Sequence, residues 1–374
     1  MKTISSLNLK NKKVLLRVDL NSYVTKKKVH LGERLIAHCK TIKLLQKKKA
    51  ITVILAHQGR PGQPDFASLK QHSKLLNKYV KVKFINSVID KKAINKIKSL
   101  KPGETLLLEN VRTLKDEFNP STKNELIKKL APLFNLYIND AFSISHRSQT
   151  SIVSFPKVLP HYPGPILIKE LNALKKIKLK NTLFILAGAK PEENIHLMGK
   201  RNIITAGLFG QICMIAKGFN FGAQNRFLRN KLKILPQLKK KLRNQKTPID
   251  FAIKVNERRK ELKLKDFPSN YIIYDIGKET IKQYVNEIKK AKAIFMKGTT
   301  GDCAEKQFCN GTKAILKAIE KSKAFSLIGG GELSEATRKL KINIKKINYV
   351  SLSGGALIEY IAGKKLPGLE VLNV

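Results

Sequence analysis

The chain has 374 residues, too many for one compact core and enough for two domains of roughly 150 to 200 residues each. Hydrophobic residues make up 42% of it, yet the longest apolar runs, such as "ITVILA" and "NTLFILA", are far too short to cross a bilayer, which excludes a helical membrane protein. Its 74 Lys and Arg against 27 Asp and Glu give +47, a field that attracts anions.

No long basic tail, arginine-rich block, zinc finger or RNP-like aromatic signature accompanies that charge, so it is read as a solvated, lysine-rich surface, with nonspecific RNA binding as the alternative. The start, "MKTISSLNLKNKKVLLRVDL", has no apolar core of signal-peptide length, and a cytoplasmic protein is expected. Cys39, Cys213, Cys303 and Cys309 are scattered, with no CxxC pair and no His at zinc spacing; free thiols are expected.

In chain order, short apolar runs alternate with amphipathic stretches: "KVLLRVD" (13–19), "ERLIAHCKTIKLLQKK" (33–48), "ITVILA" (51–56), "SLKQHSKLLNKY" (68–79), "VKVKF" (80–84), "TLLLEN" (105–110), "TKNELIKKLAPL" (122–133) and "NLYINDAF" (135–142). A helix-like segment, "LIKELNALKKIKL" (167–179), leads to a second set of strands: "TLFILAG", "NIITAG", "DFAIK", "YIIYD", "AIFMKG", "AFSLIGGG" and "YVSLSGG". Continuous apolar strands bounded by helices imply parallel sheets covered on both faces. The expected fold is α/β: two doubly wound parallel-sheet domains joined by a hinge, with a boundary near "FPKVLPHYPGP" (155–165). Residues 221–270, lysine-rich and poorly periodic, give no secure elements.

In open α/β sheets ligands bind at the carboxyl ends of strands. In the first half those ends carry Arg17, Asp19 and Asn21 in "RVDLN", His57 and Arg60 in "HQGRP", Glu109 and Arg112 in "LLLENVR", and Asp140, His146 and Arg147 in "NDAFSISHR". One such arginine is ordinarily a surface residue. Several converging on one crevice fit an anion with many oxygens, because the guanidinium fork bonds them in pairs. The second half ends its strands in glycine instead: "LAGAK" (186–190), "FMKGTTG" (295–301), "LIGGGE" (327–332) and "SLSGGA" (351–356). Bare amides before a helix cradle phosphate, and four such ends favour a polyphosphate nucleotide although none matches the Walker pattern. An anion site in one domain and a nucleotide cradle in the other, closed about a hinge, are the parts phosphoryl transfer requires.

The motifs "LLRVDLN", "LAHQGRPG", "LLLENVR", "KLAPLF", "NDAFSISHRSQ", "YDIGKET", "GTKAILKAI", "AFSLIGGG" and "GGALIEYIAGKKLPG" resemble, in order and over nearly the whole chain, those of phosphoglycerate kinases, in wording that looks closest to archaeal members. The resemblance implies a glycolytic and gluconeogenic kinase that moves a phosphoryl group reversibly between ATP and the carboxylate of 3-phosphoglycerate, giving ADP and 1,3-bisphosphoglycerate. Mg2+ would travel with the nucleotide. The chain would be a monomer, with residues 1–160 binding 3-phosphoglycerate, 161–180 forming the hinge and interdomain helix, 181–355 binding nucleotide and 356–374 returning to the first domain.

The same resemblance implies that Asp19 and Asn21 hold the substrate's carboxylate and hydroxyl end and that His57, Arg60, Arg112 and Arg147 form the basic patch for its phosphate. Arg34, in "GERLIAH", would reach the transferring group; read from its sequence surroundings alone it is a solvent-facing arginine near a helix start. Lys190 and the amides of Gly354 and Gly355 would complete the catalytic set. Gly188, Gly298, Gly301, Gly329, Gly330, Gly331 and Glu332 would serve the nucleotide, Glu332 also through its metal.

Departures from the family's usual wording lie in the nucleotide half. Ala187, Gly188, Ala189 and Lys190 stand for GGAK. Lys297, Gly298, Thr299, Thr300, Gly301, Asp302, Cys303 and Ala304 stand for NGPxGVFE, leaving Glu305 one position late for the ribose. Ser353 replaces the first glycine of a triple. Beside an active kinase, the alternative is a weakened or inactive relative serving as a basic scaffold for RNA or phosphometabolites.

Overall fold

Strand β1 (Lys13–Arg17) turns alternate side chains to opposite faces, and each face finds a separate core. Val14 and Leu16 join Ile54, Leu107 and Ile138 under Leu35, Cys39, Ile42 and Leu45 of helix α1 (Glu33–Lys47) and Leu76 of α2 (Lys70–Leu76). Leu15 joins Val53, Leu55, Leu106 and Tyr137 under Ala93 and Ile97 of α3 (Lys91–Lys98) and Leu126, Ile127 and Leu130 of α4 (Glu125–Leu130). Apolar runs without polar alternation therefore mean burial on both faces, as a parallel sheet demands.

With β2 (Ile51–Leu55), β3 (Lys83–Phe84), β4 (Thr105–Leu107), β5 (Leu136–Asn139) and β6 (His161–Pro163), that sheet has six parallel strands in the order β3-β4-β2-β1-β5-β6. The order sets the carboxyl ends of β4, β2, β1 and β5 side by side.

The computed structural model describes residues 3–177, 181–200 and 202–374. Two units emerge, Met1–Asn172 with Lys364–Val374 and Ala173–Gly363. Residues 161–163, assigned from sequence to the hinge, pair as the edge strand of the first sheet. Helix α5 (Pro165–Lys175) follows, and the chain leaves the first unit within it; residues 178–180 of the expected hinge lie outside the described residues. The carboxyl end rejoins the first unit, where the Gly368 N–H donates to the Ser145 carbonyl at 2.8 Å and Val371 packs on Ala141, Ile144, Ile152 and Val153.

The second unit is built on five parallel strands: β7 (Thr182–Leu186), β8 (Ile203–Thr205), β12 (Ala293–Lys297), β13 (Phe325–Gly329) and β14 (Tyr349–Ser351), ordered β8-β7-β12-β13-β14. Its helices are α6 (Pro191–Asn194), α7 (Gly207–Ala216), α8 (Ala223–Leu228), α9 (Leu235–Lys241), α10 (Lys278–Lys290), α11 (Asn310–Lys321), α12 (Gly331–Lys339) and α13 (Gly355–Ile361). Leu183, Ile185, Ile294, Met296 and Ile328 meet Tyr284 and Ile288 of α10 and Ile315, Leu316 and Ile319 of α11. On the alternate positions the rings of Phe184 and Phe295 meet at a tilt of 57°, their centroids 5.8 Å apart.

"DFAIK" and "YIIYD", expected in that parallel sheet, instead form a separate antiparallel one. Strand β9 (Asp250–Val255) lies between β10 (Arg258–Lys263) and β11 (Ile273–Ile276). The hairpin turn is set by Asn256 and Glu257, with φ of 45° and 59°, as a two-residue primed turn needs. Its second strand, "RRKELK", carries little apolar periodicity, which hides it from sequence reading. Phe221, Phe251 and Ile273 form the core beneath it. The cysteines are not all free: Cys303 and Cys309 are joined, their Cα atoms 4.5 Å apart across the turn that precedes α11, whereas Cys39 and Cys213 are free and buried.

Candidate functional site

Asp19 follows β1 and is 1% exposed. Its Oδ1 accepts the Asn21 N–H at 2.9 Å, and its Oδ2 accepts the Arg34 Nη1 at 3.0 Å and a short bond from the Ser143 hydroxyl. Burial alone would raise its pKa, but Arg34 and the Ser143 bond hold it well below the usual carboxylate range. The Asn21 Oδ1 in turn accepts the Gly59 N–H at 2.8 Å, while Gln58 accepts from Ser22 N at 2.7 Å and donates to Ser22 O and Asp65 O. These bonds fasten the loop after β1 to the loop after β2.

His57 follows β2 and is buried beside Arg17, whose Nη2 is 3.3 Å from its Nδ1. Burial holds this imidazole well below the ordinary histidine range; Asp19 opposes that shift, and Arg17, Arg112 and Arg34 add to it. His57 therefore enters the patch as a neutral group. Arg17, fully buried, also donates to Ser151 Oγ at 2.8 Å and lies 4.0 Å from the buried Glu117, which accepts the Ser151 N–H and hydroxyl.

Arg112, after β4, donates through Nη1 to the Gly59 carbonyl at 2.6 Å and through Nη2 to Gln149 at 3.4 Å, and its buried Nε has no partner. Burial, then the charges of Arg17 and Arg147, pushes its pKa down to about 10. The structure thus brings Asp19, Asn21, Arg34, His57, Arg112 and Arg147 to one edge of the first sheet. Arg60 is exposed in the loop after β2, outside the buried cluster.

Sequence reasoning left Arg17 without a role and did not single out His38, Ser143, Gln58 or Glu117. His38 had one legible signal: it stands four residues after Arg34 on α1 and so shares its face.

In the second unit, order β7-β12-β13-β14 sets the ends bearing Gly188 and Lys190, Lys297 to Gly301, Gly329 to Glu332, and Ser353 to Gly355 along one edge. The glycines there differ in kind. A Cβ on Gly301 would sit 2.3 Å from the Phe308 carbonyl and 2.4 Å from Asp275 Oδ1, so protein fills its space, whereas one on Gly329 would meet at 2.3 Å only the movable end of the Leu357 side chain. Gly188 and Gly298, at φ of 85° and 80°, let two neighbouring turns touch.

Around Gly330, Gly331 and Gly354 nothing lies within 4 Å of such a Cβ. Gly330 caps α12 and Gly354 caps α13; Gly355 begins α13, and the exposed Glu332 stands in the first turn of α12. These amides are open to an anion.

Lys190 is exposed at the cap of α6. Lys297, an unusual cation at the end of β12, is buried, pairs with Glu193 at 2.7 Å and donates to Asn194 Oδ1 at 3.4 Å. Asn194 donates to the Ala187 carbonyl at 2.9 Å. The lysine thus braces the loop carrying Lys190, with its charge taken up by Glu193. Glu305 likewise is paired, with Lys254 at 3.1 Å.

A model of the phosphoglycerate kinase family matches residues 4–364. The phosphoglycerate kinase of Sulfurisphaera tokodaii is 40% identical over 397 aligned positions, covering 99% of this chain and 95% of that protein, and the Sulfolobus acidocaldarius enzyme is 40% identical over 400, covering 100% and 95%. The crystal structure of phosphoglycerate kinase from Pyrococcus horikoshii superimposes with a TM-score of 0.93 at 32% identity, covering 100% of this chain and 98% of that one. Sequence motifs, sheet orders and these matches agree, and the chain belongs to the phosphoglycerate kinase family.

Proposed function

We propose that the protein transfers a phosphoryl group reversibly between ATP and the carboxylate of 3-phosphoglycerate. The observation that carries this reading is the crowding of Arg112 by Arg17 and Arg147, with one buried donor left over. A phosphate bound beside these guanidinium groups would offset that repulsion. His57 contributes a neutral N–H, Arg147 a charge and Arg60 an outer contact. Asp19 and Asn21 orient the carboxylate and hydroxyl end.

In the forward direction a carboxylate oxygen of 3-phosphoglycerate attacks the γ-phosphorus, the bond to the β–γ bridging oxygen breaks, and ADP leaves with that electron pair. Arg34, Lys190 and the amides of Gly354 and Gly355 neutralise charge on the transferring group. The nucleotide lies on Gly188, Gly298, Gly330 and Gly331; Gly301 and Gly329 shape that surface from beneath. Among the described residues no three His, Cys, Asp or Glu side chains gather as a metal cage. Glu332, exposed in the first turn of α12, offers a carboxylate that suits Mg2+ keeping nucleotide oxygens and water as its other ligands. Mg2+ bound there would offset phosphate charge.

No helix among the described residues is long and apolar enough to cross a membrane. We place the reaction in the cytoplasm and read the protein as a monomer. The test is the initial rate of 3-phosphoglycerate phosphorylation with Mg2+ across ATP concentrations. Saturable turnover supports the reading; none at saturating ATP, with 3-phosphoglycerate still bound, overturns it.

A further inference from the structure

His38 lies beneath the substrate edge, 2% exposed, between two groups that dictate its protonation. The backbone N–H of Asp19 points at Nε2 from 3.2 Å, so Nε2 must present a lone pair. Nδ1 lies 3.1 Å from Asp140 Oδ2 and must therefore carry the hydrogen. Only the neutral Nδ1–H tautomer satisfies both neighbours.

Asp140 is itself held from three further directions. Its Oδ2 accepts the Thr41 hydroxyl at 2.6 Å, and its Oδ1 accepts the N–H groups of Ile166 at 2.7 Å and Leu167 at 3.4 Å, the first turn of α5. A Cβ on Gly164 would stand 2.2 Å from that same Oδ1, so only glycine lets the carboxylate reach the helix start. The chain of bonds runs from the cap of α5 through Asp140 and His38 to the backbone of Asp19. Arg34 and Ser143 hold the other end of Asp19, its carboxylate.

We propose that His38, tuned by Asp140, is a positioning residue for the substrate end of the reaction, resting on the role given to Asp19 above. It fixes the peptide of Asp19 so that the carboxylate meets the ligand at one angle. Replacing its acceptor by carbon leaves a buried N–H unpaired and frees the loop. In Asp140→Asn the amide can turn a donor toward Nδ1; His38 would then carry its hydrogen on Nε2, facing the Asp19 N–H, with the ring still present.

The test compares wild type with His38→Leu, His38→Gln and Asp140→Asn, each checked for a folded circular dichroism spectrum. His38→Leu is expected to raise KM for 3-phosphoglycerate about tenfold or more while KM for ATP stays within about twofold. His38→Gln, which can accept from Asp19 and donate to Asp140, recovers most of it. Asp140→Asn reproduces the loss, while its remaining oxygen still accepts from Ile166 and Leu167, so hydrogen exchange at those two amides stays close to wild type. Nitrogen-15 NMR of the ligand-free wild type shows the Nδ1–H tautomer of His38.

An unchanged KM for 3-phosphoglycerate in folded His38→Leu, or an Nε2–H tautomer in wild type, overturns the proposal. Calorimetric titration of the same proteins with 3-phosphoglycerate separates the two readings: binding without turnover in wild type sinks the assigned reaction and leaves His38 tested by affinity.

Discussion

Arg17 Nη2 lies 3.3 Å from His57 Nδ1, and both side chains are buried. A guanidinium has no lone pair to offer, so it donates, and the hydrogen of His57 is confined to Nε2. Nitrogen-15 NMR is therefore expected to show neutral His57 as the Nε2–H tautomer between pH 8 and about 6, its pKa being held well below the ordinary value near 6.5 by burial. An imidazolium in that interval would contradict the geometry.

Arg17 also faces Glu117, both fully buried. Arg17→Met is expected to destabilise the protein by about 3 kcal/mol, because it strands a buried carboxylate. The double variant Arg17→Met with Glu117→Gln should recover a large part of that in denaturant unfolding.

Arg34 bonds the Asp19 carboxylate, yet over a quarter of its side chain is exposed, so it can serve an arriving phosphoryl group as well as Asp19. Arg34→Ala should lower kcat by about a hundredfold or more while 3-phosphoglycerate binding remains measurable by calorimetry. Near-normal kcat would remove Arg34 from the catalytic set.

The pair Lys297–Glu193 makes an asymmetric prediction. Lys297 is the more buried partner, so Glu193→Gln leaves a charge without compensation and should cost about 1–2 kcal/mol, whereas Lys297→Met should be near neutral in stability. Urea unfolding of the two variants decides it, and equal losses would mean that burial does not control this pair.

Two glycines should separate packing from binding. Gly301→Ala forces a methyl into Phe308 and Asp275 and should destabilise by about 2 kcal/mol. Gly354→Ala has room within the fold and should leave stability within about 0.5 kcal/mol while raising KM for ATP severalfold, because the methyl occupies space the phosphate would take. A Gly354→Ala protein with unaltered KM would remove that amide from the proposed nucleotide contacts.

His72 donates to Gln58 at 3.0 Å, and burial lowers its pKa to about 4. The unfolded chain takes up that proton near pH 6.5 and the folded protein only near 4. Stability from this group is thus full above 6.5 and declines as pH falls through that interval, by about 3 kcal/mol in all. His72→Gln should flatten the pH dependence of unfolding between 6.5 and 4; an unchanged slope would show that His72 already charges in the folded state.

Much of the substrate edge was legible because β1, β2, β4 and β5 are continuous apolar runs that stop at polar residues, and a parallel sheet brings such stops together. Arg34, Asp19 and Arg112 could be found this way or by motif. The second unit was less legible where β10 is a run of charges and where its strands pair antiparallel through a two-residue turn. The glycines at its strand ends look alike in sequence, and only their surroundings separate Gly301, packed against Asp275, from Gly354, open to a ligand.

The sequence by itself determined the family, the parallel sheets and the side chains at the strand ends, since these follow from local periodicity and from motifs a few residues long. Tertiary structure alone decided the protonation of His57 and His38, the bracing role of Lys297, and the joining of Cys303 to Cys309. Each depends on a neighbour's distance and on burial. Those quantities arise only once distant segments such as Asp19, His38 and Asp140 share one desolvated space, where an unpaired hydrogen bond or charge is costly enough to fix its partner's state.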